Sequence, residues 1–316
     1  MVGFPDVEAA FERVKDLVVK TPVMTSTTID AMTGSKVFFK CENFQRVGAF
    51  KFRGALNAVS LLSDEEKERG VITHSSGNHA QALALASSKQ NVKCTVVMPS
   101  SSPVVKMEAT KGYGAEVVVC EPTLASREST AAALIEEHGY TLVHAYNNPN
   151  IIAGAGTAAY ELIKEVGSLD AMFAPVGGGG LLSGTSIATK GLLPQAKVVA
   201  GEPKGADDAY RSFTTGKIHP SVNPNTIADG LLTSLSELTF SIIQKHVDRI
   251  VTVSDEEIVD AMRLLWERMK IVVEPSGAVS FAALLQIRDQ LEGQRIGIIL
   301  SGGNVDLERF FCQYST

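Results

Sequence analysis

The sequence predicts an α/β protein with parallel sheets flanked by helices. Strand-length apolar runs alternate with helix-length amphipathic runs through most of the chain, a rhythm that builds parallel strands with covering helices. The strand-to-helix turns concentrate small and polar residues: Ser75-Ser76-Gly77-Asn78-His79, Gly177-Gly178-Gly179-Gly180 and Ser301-Gly302-Gly303-Asn304. Ligands of open parallel sheets bind beyond the carboxyl ends of the strands, so these turns are expected at one site.

Residues 1–20 read as an amphipathic helix with acids inside it. They lack the basic start and continuous apolar stretch of a secretory leader. Val37-Phe38-Phe39-Lys40 is the first strand, followed by a helix over 54–62, a strand over 70–73 and a helix over 77–88. The apolar runs at 94–98 and 116–120 are strands separated by a helix over 104–111. A helix over 129–138 leads to a strand at 141–144, and a helix over 157–166 to a strand at 171–176. Beyond the tetraglycine come a helix over 181–193 and a strand at 197–201. Residues 204–225 are the least regular stretch and are expected to wind over the surface. A strand at 249–253 precedes a helix over 255–269, whose start Ser254-Asp255-Glu256-Glu257 has capping-box spacing with Glu257 at N3. The strand 295–300 is the last.

At 316 residues the chain is long enough for two lobes with a sizeable core. A net charge of -6 and the absence of a Lys/Arg cluster argue against a nucleic-acid polymer as partner. No 18-residue apolar run offers a membrane span. The cysteines, Cys41, Cys94, Cys120 and Cys312, form no Cys-x-x-Cys pair and have no histidine at zinc-ligand spacing. Free thiols in a reducing, cytoplasmic compartment are the expectation.

Gly177 to Gly180, followed by Leu181, strip the backbone of side chains at a helix start. Convergent N–H groups and the helix dipole favour an anion there, most often a phosphate. A glycine run also reads as a flexible turn, but its flanks here are apolar rather than polar as in a linker. No Gly-Lys-Ser/Thr follows, and the dinucleotide glycine spacing is missed. Lys51 lies between Phe50 and Phe52. Desolvation there would favour its neutral amine, a nucleophile toward an aldehyde. On the local sequence alone, a lysine with a buried stem and a solvated head comes first.

Read together, the motifs change that order. Ala49-Phe50-Lys51-Phe52-Arg53-Gly54-Ala55, Ser75 to His79, Gly154-Ala155-Gly156-Thr157, Gly177 to Gly180, Glu274-Pro275-Ser276-Gly277 and Ser301 to Asn304 occur in order over nearly the whole chain. In this the sequence resembles the serine racemase and serine/threonine dehydratase family of fold-type II pyridoxal-phosphate enzymes. The resemblance implies a two-lobed fold, with a small mobile domain over 70–147 and a discontinuous large cofactor-binding domain over 1–69 and 148–316. It implies that Lys51 holds pyridoxal phosphate as a Schiff base and that Phe50 packs on its ring. Asn78 would bond the ring hydroxyl, Gly177 to Gly180 with Leu181 the phosphate, and Ser301 the pyridine nitrogen. A neutral hydroxyl at that nitrogen makes a milder electron sink than a carboxylate partner, which suits racemisation and elimination better than transamination.

Ser76 would face Lys51 across the cofactor and serve the second proton transfer of a racemase. The alternative is a helix cap or a carboxylate-binding hydroxyl. Ser75, Asn78 and His79 would help bind the substrate carboxylate. Arg127 resembles a position facing the substrate pocket, where a guanidinium would pair with a second carboxylate. On sequence alone a solvated arginine at a helix start is at least as good a reading of it. Glu202, the Ala206 carbonyl and Asp208 resemble a divalent-cation site for magnesium, manganese or calcium, although acid-rich turns are more often only solvated.

Some members of the family bind ATP as an activator at the subunit interface. The matching positions are Ser26, Thr27, Thr28, Arg46, Val47, Gln81, Tyr113, Lys270 and Asn304. Arg46 and Val47 depart from the Lys-Thr of the animal enzymes. Ala49, Ala155 and Tyr146 are further departures that bear on substrate preference. The resemblance implies a homodimer acting on a small hydroxy amino acid. Serine racemisation with accompanying elimination to pyruvate and ammonia is the first expectation, and 3-hydroxyaspartate or threonine dehydration the alternative.

Overall fold

A computed structural model describes residues 2–307 and 312 of the chain. Its strands are β1 (Val23–Met24), β2 (Lys36–Cys41), β3 (Val71–His74), β4 (Cys94–Pro99), β5 (Glu116–Cys120), β6 (Thr141–Leu142), β7 (Ala171–Pro175), β8 (Lys197–Pro203), β9 (Arg249–Val253) and β10 (Arg295–Leu300). They form a six-stranded sheet of order β1-β2-β10-β7-β8-β9 and a four-stranded sheet of order β5-β4-β3-β6. All pairings are parallel except that of β1 with β2. The expected α/β architecture is therefore present, with helices against both sheets. Every residue of β7 is buried, as expected of a strand covered on both faces.

The parallel register brings the ends of the strands into line. Leu300 at the end of β10 pairs with Cys41 of β2, and His74 at the end of β3 pairs with Val97 of β4. The turns after β3, β7 and β10 therefore leave their sheets on the carboxyl side. One core lies under the helix Pro275–Ile287, where Phe281 meets Phe39 edge to face at 5.3 Å. Another joins the helix Lys51–Ser60 to the four-stranded sheet.

Several elements differ from expectation for identifiable reasons. The N-terminal helix is confined to Phe4–Val14, and Met1 lies outside the described residues. Lys51 opens a helix that was expected to begin only at 54. The helix expected from 157 begins at Pro149, capped by the Asn148 side chain, which accepts from the N–H groups of Asn150 and Ile151. Its early glycines carry little helix propensity, but tertiary packing requires them. A Cβ on Gly154 would stand 2.6 Å from the Arg53 carbonyl oxygen, and one on Gly156 would stand 2.7 Å from that of Gly184. The stretch 204–225 is not wholly irregular: it contains the helix Asp208–Thr215. The helix from Asp255 has the expected capping box and turns into a π-turn over Leu265–Met269.

Arg53, in the first turn of the lysine-bearing helix, is fully buried in a charged quartet. Its guanidinium donates to both oxygens of Glu42 at 2.7 and 2.9 Å and to both oxygens of Glu161 at 2.8 Å. Lys40 pairs with Glu161 at 2.8 Å and donates to the Thr21 carbonyl at 2.7 Å. Thr21 in turn donates to Glu42 at 2.6 Å. With two cations and two anions, the group neutralises itself and locks β2, the turn after it and two helices together.

Candidate active site

One cavity of about 720 Å³ opens where the strand ends converge. Its wall includes Phe50, Lys51, Ser75 to His79, Arg127, Gly177 to Leu181 and Ser301, and so gathers every residue expected to bind cofactor or substrate. The cation and nucleotide candidates stand elsewhere, except Asn304, which lines the same cavity.

Lys51 reaches the cavity from the first turn of its helix. Its Nζ donates to the Ala145 carbonyl at 3.0 Å and lies 5.2 Å from the Phe50 ring centre. Burial lowers its pKa to about 8, against a smaller opposing pull from Glu274. A neutral amine is thus accessible near neutral pH. The preceding residue is pinned to the end of β10: the Phe50 N–H donates to the Ser301 carbonyl at 2.9 Å. The Ser301 hydroxyl itself has no partner among the described residues.

The tetraglycine is an ordered turn. Gly179 has φ +86°, which favours glycine, and starts the helix Gly180–Leu192 as its N-cap. A Cβ on Gly177 would stand 2.8 Å from the Leu231 Cα, and one on Gly178 would strike the Tyr146 ring. The cradle is therefore bare of side chains because its neighbours occupy their space. Tyr146 roofs it and meets His144 edge to face at 4.6 Å. His144 accepts from the Asn147 N–H at 3.0 Å through Nδ1, and burial drops its pKa to about 4.

Ser75 to His79 lead from β3 into the helix Asn78–Ser88. Its N-cap is Gly77 with no side-chain cap, so Ser76 is not spent on capping, and its hydroxyl has no partner among the described residues. The unpaired N–H groups of this helix start open on the cavity, where a carboxylate would be favoured. His79 is buried; its Nε2–H donates to the Val143 carbonyl at 3.0 Å, and burial lowers its pKa to about 3. Its side chain is neutral, which leaves the backbone N–H as its contribution to anion binding.

Asn78 points to a residue for which the sequence reading supplied no role. Its amide donates to both oxygens of Glu274 at 3.0 and 3.2 Å, and its Oδ1 accepts from Asn304 at 2.9 Å. Glu274 is buried, which raises its pKa to about 7. The signal for it was the Glu-Pro step: Glu274 is the N-cap of a helix with proline at its first position. Arg127 lines the cavity, and its guanidinium has no partner among the described residues.

Glu202 and Asp208 are both buried. Glu202 accepts from the N–H groups of Ala209 and Tyr210 at 2.8 and 2.7 Å, while among the described residues neither oxygen of Asp208 accepts a well-formed hydrogen bond, the Ser221 hydroxyl only lying near enough to pull its pKa down against burial. Burial pushes Glu202 up to about 9 and Asp208 up to about 6. Ala206 lies in the short turn Lys204–Ala206 between them. Among the described residues no group of three or more His, Cys, Asp or Glu side chains makes a metal site. A cation here would therefore draw on backbone or water oxygens as well.

Of the nucleotide candidates, Asn304 donates to the Val47 carbonyl at 2.6 Å. Ser26 caps the helix Thr27–Thr33 and Lys270 donates to the Glu267 carbonyl, so these side chains serve their own turns. Thr28, Gln81 and Tyr113 make no side-chain hydrogen bond to them among the described residues. No helix of the described residues is long and apolar enough to cross a membrane.

The donor set fits pyridoxal phosphate: a bare glycine cradle at a helix start for the phosphate, a desolvated amine for the aldehyde and an unpaired hydroxyl at Ser301 for the ring nitrogen. The cavity volume suits a cofactor with a small substrate. The family model for pyridoxal-phosphate dependent enzymes matches residues 14–302. Serine racemase of Dictyostelium discoideum is 51% identical over 310 residues, covering 97% of this chain and 96% of that protein. L-threo-3-hydroxyaspartate ammonia-lyase of Saccharomyces cerevisiae is also 51% identical, over 308 residues, covering 97% of this chain and 94% of that protein. The crystal structure of the Dictyostelium racemase superposes with a TM-score of 0.93, covering 96% of this chain and 99% of that one.

Proposed function

The chain belongs to the pyridoxal-phosphate-dependent enzyme family, and from that premise we propose that it racemises serine and, at the same site, eliminates its hydroxyl. The observation that carries this reading is one cavity lined by two proton carriers, the Lys51 amine and the unpartnered Ser76 hydroxyl. Gly177 to Gly180 and Leu181 would hold the cofactor phosphate, Phe50 its ring, Asn78 its hydroxyl, Ser301 its nitrogen and Lys51 its aldehyde carbon. When bound, the cofactor supplies an electron sink that acidifies the substrate α-carbon.

Lys51 Nζ takes the α-proton on one face, and Ser76 Oγ returns one on the other. The helix start at Asn78, with Ser75 and the His79 N–H, orients the substrate carboxylate. Elimination shares the first proton transfer; serine leaves as pyruvate and ammonia, with water lost and regained. The unit 70–147 would swing as a small domain against 1–69 and 148–316 and exclude water. Replacing Ser76 with alanine is expected to lower D-serine formation from L-serine by roughly 10²–10⁴-fold, with a much smaller effect on pyruvate formation. Equal loss of both activities would make Ser76 a binding residue only.

A second reading, 3-hydroxyaspartate dehydration, is favoured by the unpartnered Arg127 guanidinium on the cavity wall, suited to a second carboxylate. A relative of that name stands at the same identity as the racemase.

We also propose a divalent cation, magnesium first, at Glu202, the Ala206 carbonyl and Asp208; its support is the pair of unpartnered, buried Asp208 oxygens. Saturating magnesium, at about a hundred times its dissociation constant, should then raise the melting temperature by roughly 4 °C over chelated protein. Asp208→Asn should abolish that shift, and a shift that survives the substitution would place the cation elsewhere. A cytoplasmic homodimer with ATP as an activator at Ser26, Thr27, Thr28, Gln81, Tyr113, Lys270 and Asn304 completes the reading. The nucleotide part of it is supported by the bond from Asn304 to Asn78, by which a ligand at Asn304 would act on the cavity.

A further inference from the structure

An ion pair crosses the cavity wall from one sheet's helices to the other's. Lys106 lies on the helix Val104–Gly112, next to β5, and Asp229 starts the short turn Asp229–Leu231. Lys106 Nζ and Asp229 Oδ2 are 3.2 Å apart, and both residues line the cavity. The turn is held from two sides: the Gly230 N–H donates to the Ser276 hydroxyl in the first turn of the helix Pro275–Ile287 at 2.9 Å, and Leu231 fills the space beside Gly177 of the cradle. The position of Asp229 is therefore set by the elements of the six-stranded sheet, and Lys106 leans on it from the side of the four-stranded sheet.

The pair is open to water, with side chains 28% and 61% exposed, and such pairs exchange partners readily. Arg127, on the same wall, has no acidic partner to give up. Its attraction for a second carboxylate is constant, whereas that of Lys106 depends on release from Asp229. We propose that Lys106 is a specificity-determining residue. It exchanges Asp229 for the side-chain carboxylate of a four-carbon dicarboxylic amino acid, and Asp229 sets the preference between such substrates and serine. The proposal rests on the reading that this site takes hydroxy amino acids. Serine leaves the pair intact; a dicarboxylate gains a charge-assisted bond only by opening it.

The test compares holoenzyme variants Lys106→Met and Asp229→Asn with the parent. One readout is the kcat/KM ratio of L-threo-3-hydroxyaspartate to L-serine. The other is the binding ratio of L-aspartate to L-alanine, read from cofactor absorbance. Lys106→Met should lower both ratios about tenfold, and Asp229→Asn, which frees the lysine, should raise both. Ratios within about twofold of the parent in both variants would overturn the proposal. So would a parallel fall in both, which would make the pair only a strut between the sheets. A parent inactive on both hydroxy amino acids, with binding ratios that still move in opposite directions, would overturn the reaction assignment and leave the role of Lys106 standing.

Discussion

Replacing Lys51 with alanine is expected to abolish the visible absorbance of the bound cofactor and to lower turnover of every substrate by at least ~10⁴-fold. The same amine would anchor the aldehyde and move the α-proton, so its loss removes both functions together. Its environment supports the assignment: burial lowers its pKa to about 8, and its nitrogen donates to the Ala145 carbonyl at 3.0 Å. Arginine at this position would keep the charge but offer no neutral amine, and should be equally inactive. Because Lys51 is half-buried at the cavity edge, the alanine protein should fold and melt close to the cofactor-free parent. Retained absorbance in the alanine variant would move the anchoring role to another residue.

Much of this site was legible because its chemistry sits in contiguous turns. Three turns after strands supply the glycine cradle, the helix start at Asn78 and the Ser301 hydroxyl, and parallel topology brings them together. Strands β5, β9 and β10 begin and end where their apolar runs do. What was not legible depends on contacts distant in sequence. Helix 149–166 starts eight residues before its expected first residue, because Gly154 and Gly156 read as breakers alone but are sites of close helix crossing. The short helices Thr27–Thr33 and Asp208–Thr215 leave too little periodic pattern to be found. β1 is a two-residue edge strand, below the length at which alternation can be read. Glu274 meets Asn78 across 196 positions, and Lys106 meets Asp229 across 123. No local pattern encodes such pairings, and Arg53 shows how far a motif residue can mislead: read as part of the lysine motif, it is aimed away from the chemistry into a buried charge network.

That network carries the largest stability effect expected in the molecule. Replacing Arg53 with methionine removes one of two buried cations and leaves Glu42 and Glu161 with Lys40 alone. An uncompensated buried carboxylate typically costs about 3–5 kcal/mol, which for a chain of this length is a fall in melting temperature of roughly 5–8 °C. Arg53→Lys keeps the charge but cannot reproduce the four bonds that the guanidinium makes to two carboxylates, so an intermediate loss is expected. The decisive comparison is the double variant Arg53→Met with Glu161→Met, in which Lys40 and Glu42 remain as one cation and one anion. If charge imbalance is the cause, the double variant melts above the single one despite losing more bonds, a clear departure from additivity. If bond count is the cause, it melts below. The activity of Arg53→Met distinguishes a further point. Lys51 lies on the same helix two residues earlier, so loosening the quartet should weaken cofactor retention more than it slows the fully loaded enzyme. A variant that melts early but holds cofactor as tightly as the parent would confine the quartet to stability alone.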